Sequence, residues 1–199
     1  MSTPRVILAS GSPRRRELLE LIGVPYTAIA ADIDESIIGT ESAATLAERL
    51  AKKKASVVAE RNPDAFVIAA DTVVVLDGRI MNKPRDEAEA FDMLGALNGA
   101  THTVFTGMAC AFNGRIMSAI DEVSVTFRNL SDDELHAYIA TGEPMDKAGA
   151  YGIQGFGATI VQRIEGDYFA VMGLSLVRLV DVMKQLGVEY RFDGGIRTD

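Results

Sequence analysis

An eleven-residue run, Phe66-Val-Ile-Ala-Ala-Asp-Thr-Val-Val-Val-Leu76, constrains this chain more than any other segment. Apolar and β-branched residues make it the strongest strand candidate, and an aspartate interrupts its middle. Five uncharged residues precede Asp71, and Val73 to Leu76 follow it. A carboxylate buried there without partners is strongly destabilising, so Asp71 must be paired, metal-bound or placed at an opening. On these residues alone, a metal or catalytic role and a structural ion pair both stay open.

Short β-branched runs alternate with helical patterns along the rest of the chain, which predicts an α/β fold. Residues 6–9 and 26–30 read as strands. Residues 13–22 read as a helix stopped by Gly23, and 43–60 as a longer helix ending before Asn62-Pro63. Asp86 caps a helix through Leu97, with Phe91, Leu94 and Leu97 a turn apart. Strands over 103–112 and 115–128 flank Asn113-Gly114, a dipeptide favoured in two-residue hairpins, so this pair is expected to be antiparallel. Ser131-Asp-Asp-Glu134 is a capping box opening a helix to about residue 140. A strand over 159–164 and a helix over 174–186 complete the set, and the tail, residues 188–199, is expected to fray. With no repeat, linker or low-complexity tract, residues 1–199 read as a single domain drawn into two lobes around a central cleft, with a mixed sheet flanked by helices.

The chain is 48% hydrophobic and 24% charged, which excludes disordered, collagenous and coiled-coil classes. No apolar run approaches the ~18–20 residues of a membrane span. The start lacks the build of a signal peptide, and the single cysteine, Cys110, lies in an apolar stretch that suits a buried, inert thiol. A cytoplasmic address is expected. A net charge of −8 and a pI near 4.8 argue against a nucleic-acid polymer as partner. The only runs of three basic residues are Arg14-Arg15-Arg16 and Lys52-Lys53-Lys54, which suit a compact anionic ligand or, equally, solvated helix faces.

Ser10-Gly11-Ser12-Pro13-Arg14-Arg15 runs from a strand into a helix, with serine at the N-cap position and proline at the first helical position. Arginine at that end opposes the helix dipole, which makes sense if an anion binds there; arginines pointing away from a capped surface helix are the alternative. On the 43–60 helix, Leu46, Leu50 and Val57 mark an apolar stripe. Lys54 falls on it, while Lys52 points to the opposite side and Lys53 to the edge. A lysine on the inner face either snorkels outward or reaches into a site. Asp34-Glu35 adds carboxylate near a strand end, and Lys83-Pro84 after the Asp77-Gly78 turn offers a second cation. Three glycines and two alanines within residues 146–155 imply close backbone approach, or simply a tight loop; Gln154 there can read a base edge or hold a water. His102 and His136 have no ligand-like spacing and read as structural or surface residues. No P-loop or dinucleotide-binding motif is present. Carboxylates without histidine or thiolate suit a hard ion such as Mg²⁺ or Mn²⁺.

Taken in register, Leu8-Ala-Ser-Gly-Ser-Pro-Arg-Arg15, Ala70-Asp-Thr-Val-Val74, Asn82-Lys-Pro-Arg85 and Asp146-Lys-Ala-Gly-Ala-Tyr-Gly-Ile-Gln-Gly155 resemble the Maf family of nucleoside triphosphate pyrophosphatases. The resemblance runs from about residue 5 to residue 186. It implies an elongated α/β fold like that of the inosine triphosphate pyrophosphatases, a homodimer, and metal-dependent cleavage between the α- and β-phosphates. By position it makes Asp71 the general base and Glu35, Lys54, Lys83 and Gln154 the remaining catalytic shell. Asp71 and Glu35 become the metal residues, and Ser10, Ser12, Arg14 and Arg15 the phosphate-binding loop. Arg14, Thr72 and Gln154 resemble the specificity residues of the branch acting on dTTP and UTP. The rival readings are a nucleotide-binding regulator of cell division without turnover, and an enzyme of another phosphorylated metabolite.

Overall fold

In the computed structural model, which describes residues 3–198, the Phe66-to-Leu76 run forms one strand at the centre of a mixed sheet. The elements leading to it are β1 (Val6–Leu8), α1 (Pro13–Leu21), β2 (Thr27–Ala28) and α2 (Ala43–Glu60); β3 is Phe66–Leu76 itself. After it come β4 (Arg79–Met81), α3 (Glu87–Leu97), β5 (Thr101–Phe112), β6 (Arg115–Phe127) and α4 (Asp132–Ile139). Three short 3₁₀ turns then lead to β7 (Val161–Glu165), α5 (Tyr168–Met172), α6 (Leu176–Gln185), β8 (Val188–Tyr190) and β9 (Ile196–Thr198).

The main sheet has the order β2-β1-β3-β5-β6-β7, with β4 added beside β3. β2, β1 and β3 run parallel, and every later pairing is antiparallel. The expected mixed α/β sheet is thus present, and Asn113-Gly114 turns the β5–β6 hairpin with φ of 49° and 72°. The capping box at Ser131 is also formed.

Side chains alternate between the faces of β3. Val67 and Ala69 pack with Ala51, Ala55 and Val58 of α2 on one face. Ile68 and Ala70 pack with Leu18 and Leu19 of α1 and Leu179 and Met183 of α6 on the other. Beyond them, α3 and α4 close a further core over Val74, Val104 and Phe127.

Several boundaries depart from expectation. The second strand shrinks to Thr27–Ala28, where its neighbour β1 offers Ile7 and Leu8 as partners. The buried stripe of α2 passes through Val58, while Val57 is only partly buried. Residues 155–159 form a 3₁₀ turn, so the strand there starts at Val161. The last helix starts at Leu176, because the Ser175 hydroxyl accepts from the Arg178 amide as N-cap, and α5 precedes it. The described part of the tail, residues 188–198, forms paired strands where a frayed end was expected. Within residues 188–199, β8 and β9 pair antiparallel, Val188 and Ile196 are buried in the α1–α6 core, and the Tyr190 hydroxyl donates to Ile22 O at 2.8 Å; Asp199 lies outside the described residues. Apolar contact with α1 and α6 supplies what local propensity lacks. Among the described residues, no helix is long and apolar enough to cross a membrane.

Candidate active site

β1 covers one edge of β3 from Phe66 to Ile68, and β4 covers the same edge from Val74 to Leu76. Between them the edge is open, and Asp71 and Thr72 lie in that gap. β5 meanwhile pairs the other edge throughout, with Asp71 opposite Gly107 and Thr72 opposite Thr106. The carboxyl ends of β1 and β2 open onto the same place, as α/β sheets commonly arrange their sites. A cleft of about 850 Å³ results, lined by all three segments and by the 146–153 loop.

Adjacent strand residues point to opposite faces, so Asp71 faces α2 and Thr72 faces α1 and α5. Lys54 on α2 donates to Asp71 Oδ1 at 2.6 Å and lies 2.6 Å from Glu35 Oε1. The two carboxylates therefore converge on one ammonium, and their oxygens are separated by at most the sum of those distances. Asp71 and Lys54 side chains are 13% and 10% exposed, whereas Glu35 is 57% exposed, so the pair at the cleft wall is far better shielded than the third member. Lys52 pairs with Glu48 and Lys53 is exposed, as the helical spacing predicts. Asp34 stays outside the lining; its Oδ1 accepts from the Ser36 amide.

The approach of α2 depends on a residue the sequence analysis passed over. A Cβ on Gly107 would lie 2.4 Å from the carbonyl of Ala47, so only glycine lets the helix sit this close to β5 at the level of Asp71.

On the other face, Arg15 lines the cleft and also braces the loop that carries Ser10. Its side chain is buried, and three of its five N–H groups bond within the protein: Nε donates to Gly173 O at 2.8 Å, and the two terminal nitrogens to Ser10 Oγ at 3.1 Å and Thr72 Oγ1 at 3.3 Å. Burial lowers its pKa, and Asp71 pushes it back up. Arg14, half-buried, lines the cleft beside it. Ser12 is the N-cap of α1 without a side-chain cap bond, and no acidic residue occupies the first turn, which leaves the helix dipole unanswered there.

Two hydroxyls have determined roles. Ser10 Oγ accepts from Arg15 and from the Ser12 amide, so its proton remains to be donated. Thr106 gives its proton to Ala170 O, so at 3.1 Å Thr72 must be the donor to Thr106. Thr72 also accepts from Arg15 and keeps a single acceptor position.

Lys83 is exposed at the exit of β4 and lines the cleft with Asn82 and Lys147. The lining passes through Tyr151, Gly152 and Ile153, and Gln154 follows directly, partly buried, as the N-cap of the 3₁₀ turn at Gly155. Glu143, also unremarked in the sequence, holds that loop by accepting from Tyr138 and from the amides of Phe156 and Gly157. His102 is structural: its Nε2 meets the Tyr151 hydroxyl at 2.7 Å in the core. His136 stacks on Phe91 at the surface. Cys110 is buried, and burial pushes its thiol pKa far up.

The chain has close relatives. A dTTP/UTP pyrophosphatase of Bacillus cereus is 48% identical over 185 residues, covering 93% of this chain and 97% of that protein. That of Bacillus cytotoxicus is 48% identical over 191 residues, covering 96% and 97%. The Staphylococcus aureus Ham1 protein superposes with a TM-score of 0.45 at 18% identity, over 79% of each chain. The family model described as Maf-like protein matches residues 5–186, a span that contains every cleft residue named above. This chain belongs to the Maf-like protein family.

Proposed function

We propose that this chain hydrolyses dTTP and UTP between the α- and β-phosphates, releasing pyrophosphate and the nucleoside monophosphate. The observation that carries the reading is Lys54 gathering Asp71 and Glu35 in the same cleft as an uncapped helix start with Arg14, in a chain 48% identical to dTTP/UTP pyrophosphatases.

The reaction implies a divalent ion, and the donor set fits one. Asp71 and Glu35 offer convergent oxygens and no nitrogen or sulfur, as Mg²⁺ or Mn²⁺ prefers when phosphates and water complete its shell. When bound, such an ion neutralises charge on the phosphates and makes water easier to deprotonate.

The chain's own groups do the rest. Lys54 fixes Asp71 Oδ1, leaving Oδ2, which has no partner among the described residues, to take the proton of the attacking water. Ser10 donates to a phosphate oxygen, and Arg14 and Lys83 balance negative charge that grows toward the transition state. Thr72, with one acceptor position and no free proton, suits the N3–H of thymine or uracil and not the bare N3 of cytosine. The reading also carries a cytoplasmic address and a homodimer, which sedimentation would check.

The test is pyrophosphate release from dTTP, UTP, CTP, ATP, GTP and 7-methyl-GTP with Mg²⁺ or Mn²⁺. Release from dTTP and UTP is expected, and Asp71→Asn is expected to lower kcat by about 10²–10⁴ while leaving the fold intact. Tight nucleotide binding without release would instead favour a regulator.

A further inference from the structure

The segment between β2 and α2, residues 31–42, contains no helix or strand and is mostly exposed; Ile37 and Ile38 are 51% and 62% exposed. Yet it delivers Glu35 to Lys54 and lines the cleft with Glu35, Ser36 and Ile37. A strap with so little burial opens readily unless something fastens it.

Arg49 does so from α2, the helix that also carries Lys54. Its Nε and one terminal nitrogen donate to both oxygens of Glu41, at 2.9 and 2.6 Å, and the same terminal nitrogen donates to Ser36 O at 2.9 Å. Glu41 Oε1 also accepts from the Ile38 amide at 2.8 Å. Isolated surface ion pairs contribute little, but this one is a bidentate fork whose carboxylate side chain is 9% exposed and which binds backbone on both sides of Ile37. Ser36 is thus tied to Arg49 and its neighbour Glu35 to Lys54, two anchors on one rigid helix.

We infer that Arg49 and Glu41 are positioning residues that clamp the 31–42 strap to α2 and thereby place Glu35 at Lys54. The clamp is charged at every pH near neutrality, because Arg49 and the Ile38 amide hold the Glu41 carboxyl at about 2. Its catalytic consequence rests on the pyrophosphatase reading, and its structural consequence does not.

Two measurements on Arg49→Met test this, with Glu41→Gln as the second variant should the first fail to fold. In hydrogen exchange, amides of the strap are expected to exchange roughly tenfold faster or more, with β3 and β5 protected as before. Pyrophosphate release is expected to fall on the order of 10²-fold. Combined with Glu35→Gln, Arg49→Met is expected to add no further loss, because the clamp acts through Glu35. Unchanged exchange in the strap, or losses that multiply in the double variant, would overturn the inference. If the unmodified protein releases no pyrophosphate, the functional reading falls, and strap exchange alone decides the clamp.

Discussion

Lys54 shows how a single residue can be read only partly from its spacing. Its position on an apolar helical stripe marks it as unusual, but its partners, Asp71 and Glu35, come from seventeen and nineteen residues away along the chain and meet it only in the fold. Thr72 and Arg15 behave alike: the motif names them, while the proton inventory that makes Thr72 an acceptor depends on Thr106 and Ala170. Thr72→Val is therefore expected to narrow the preference for dTTP over CTP, measured as the ratio of kcat/KM values, more than it lowers turnover. A second residue-scale prediction concerns His102. Burial lowers its pKa from 6.5 to about 4, so the folded state keeps the ring neutral where the unfolded chain binds a proton. This contribution is fully present above the unfolded value and is lost as the pH falls from 6.5 toward 4. Between about pH 7.5 and about pH 5.2 it removes about 2 kcal/mol, to be read from urea midpoints. His102→Gln should flatten that slope; an equal slope in both proteins would assign the pH response elsewhere.

Long elements were legible because hydrophobic period and end signals agree over many residues. α2, α3, α4, β3 and the β5–β6 hairpin lie within a few residues of expectation, and the helix caps, Ser42, Asp86 and Ser131, accept the amides expected of N-caps. β4 and α5 are three and five residues long, too short for any period to register. β4 matters all the same, because it closes the β3 edge beyond the gap and so bounds the opening at Asp71. The spacing of α2 from the sheet is a property of a pair of elements and rests on Gly107. Gly107→Ala is expected to push α2 away at Ala47, where contact at 2.4 Å has no room to relax without backbone movement. Loss of stability together with a drop in pyrophosphate release is the expected result. Full activity would mean that the Lys54–Asp71 pair survives a displaced helix.

For the whole molecule, the C-terminal hairpin is a stability element remote from the chemistry. None of its residues lines the cleft, while Val188 and Ile196 are each 1% exposed in the main core. Burying each stabilises by about 1.5–3 kcal/mol. Ending the chain at Gly187 should lower Tm on the order of 10 °C and leave the dTTP-to-CTP ratio unchanged. A changed ratio would tie the tail to the site. The sequence by itself determined the α/β class, the major helices and strands, and the four motifs that carry the family resemblance, because periodicity, capping and turn chemistry are local and repeat within a few residues. The tertiary structure alone decided that Asp71 lies in a gap between two short neighbours, that Arg15 reaches Ser10, Thr72 and Gly173, and that residues 188–198 pair as a hairpin. Each depends on contacts between residues distant in sequence, and burial, charge pairing and hydrogen-bond saturation there are set by neighbours that no local pattern names.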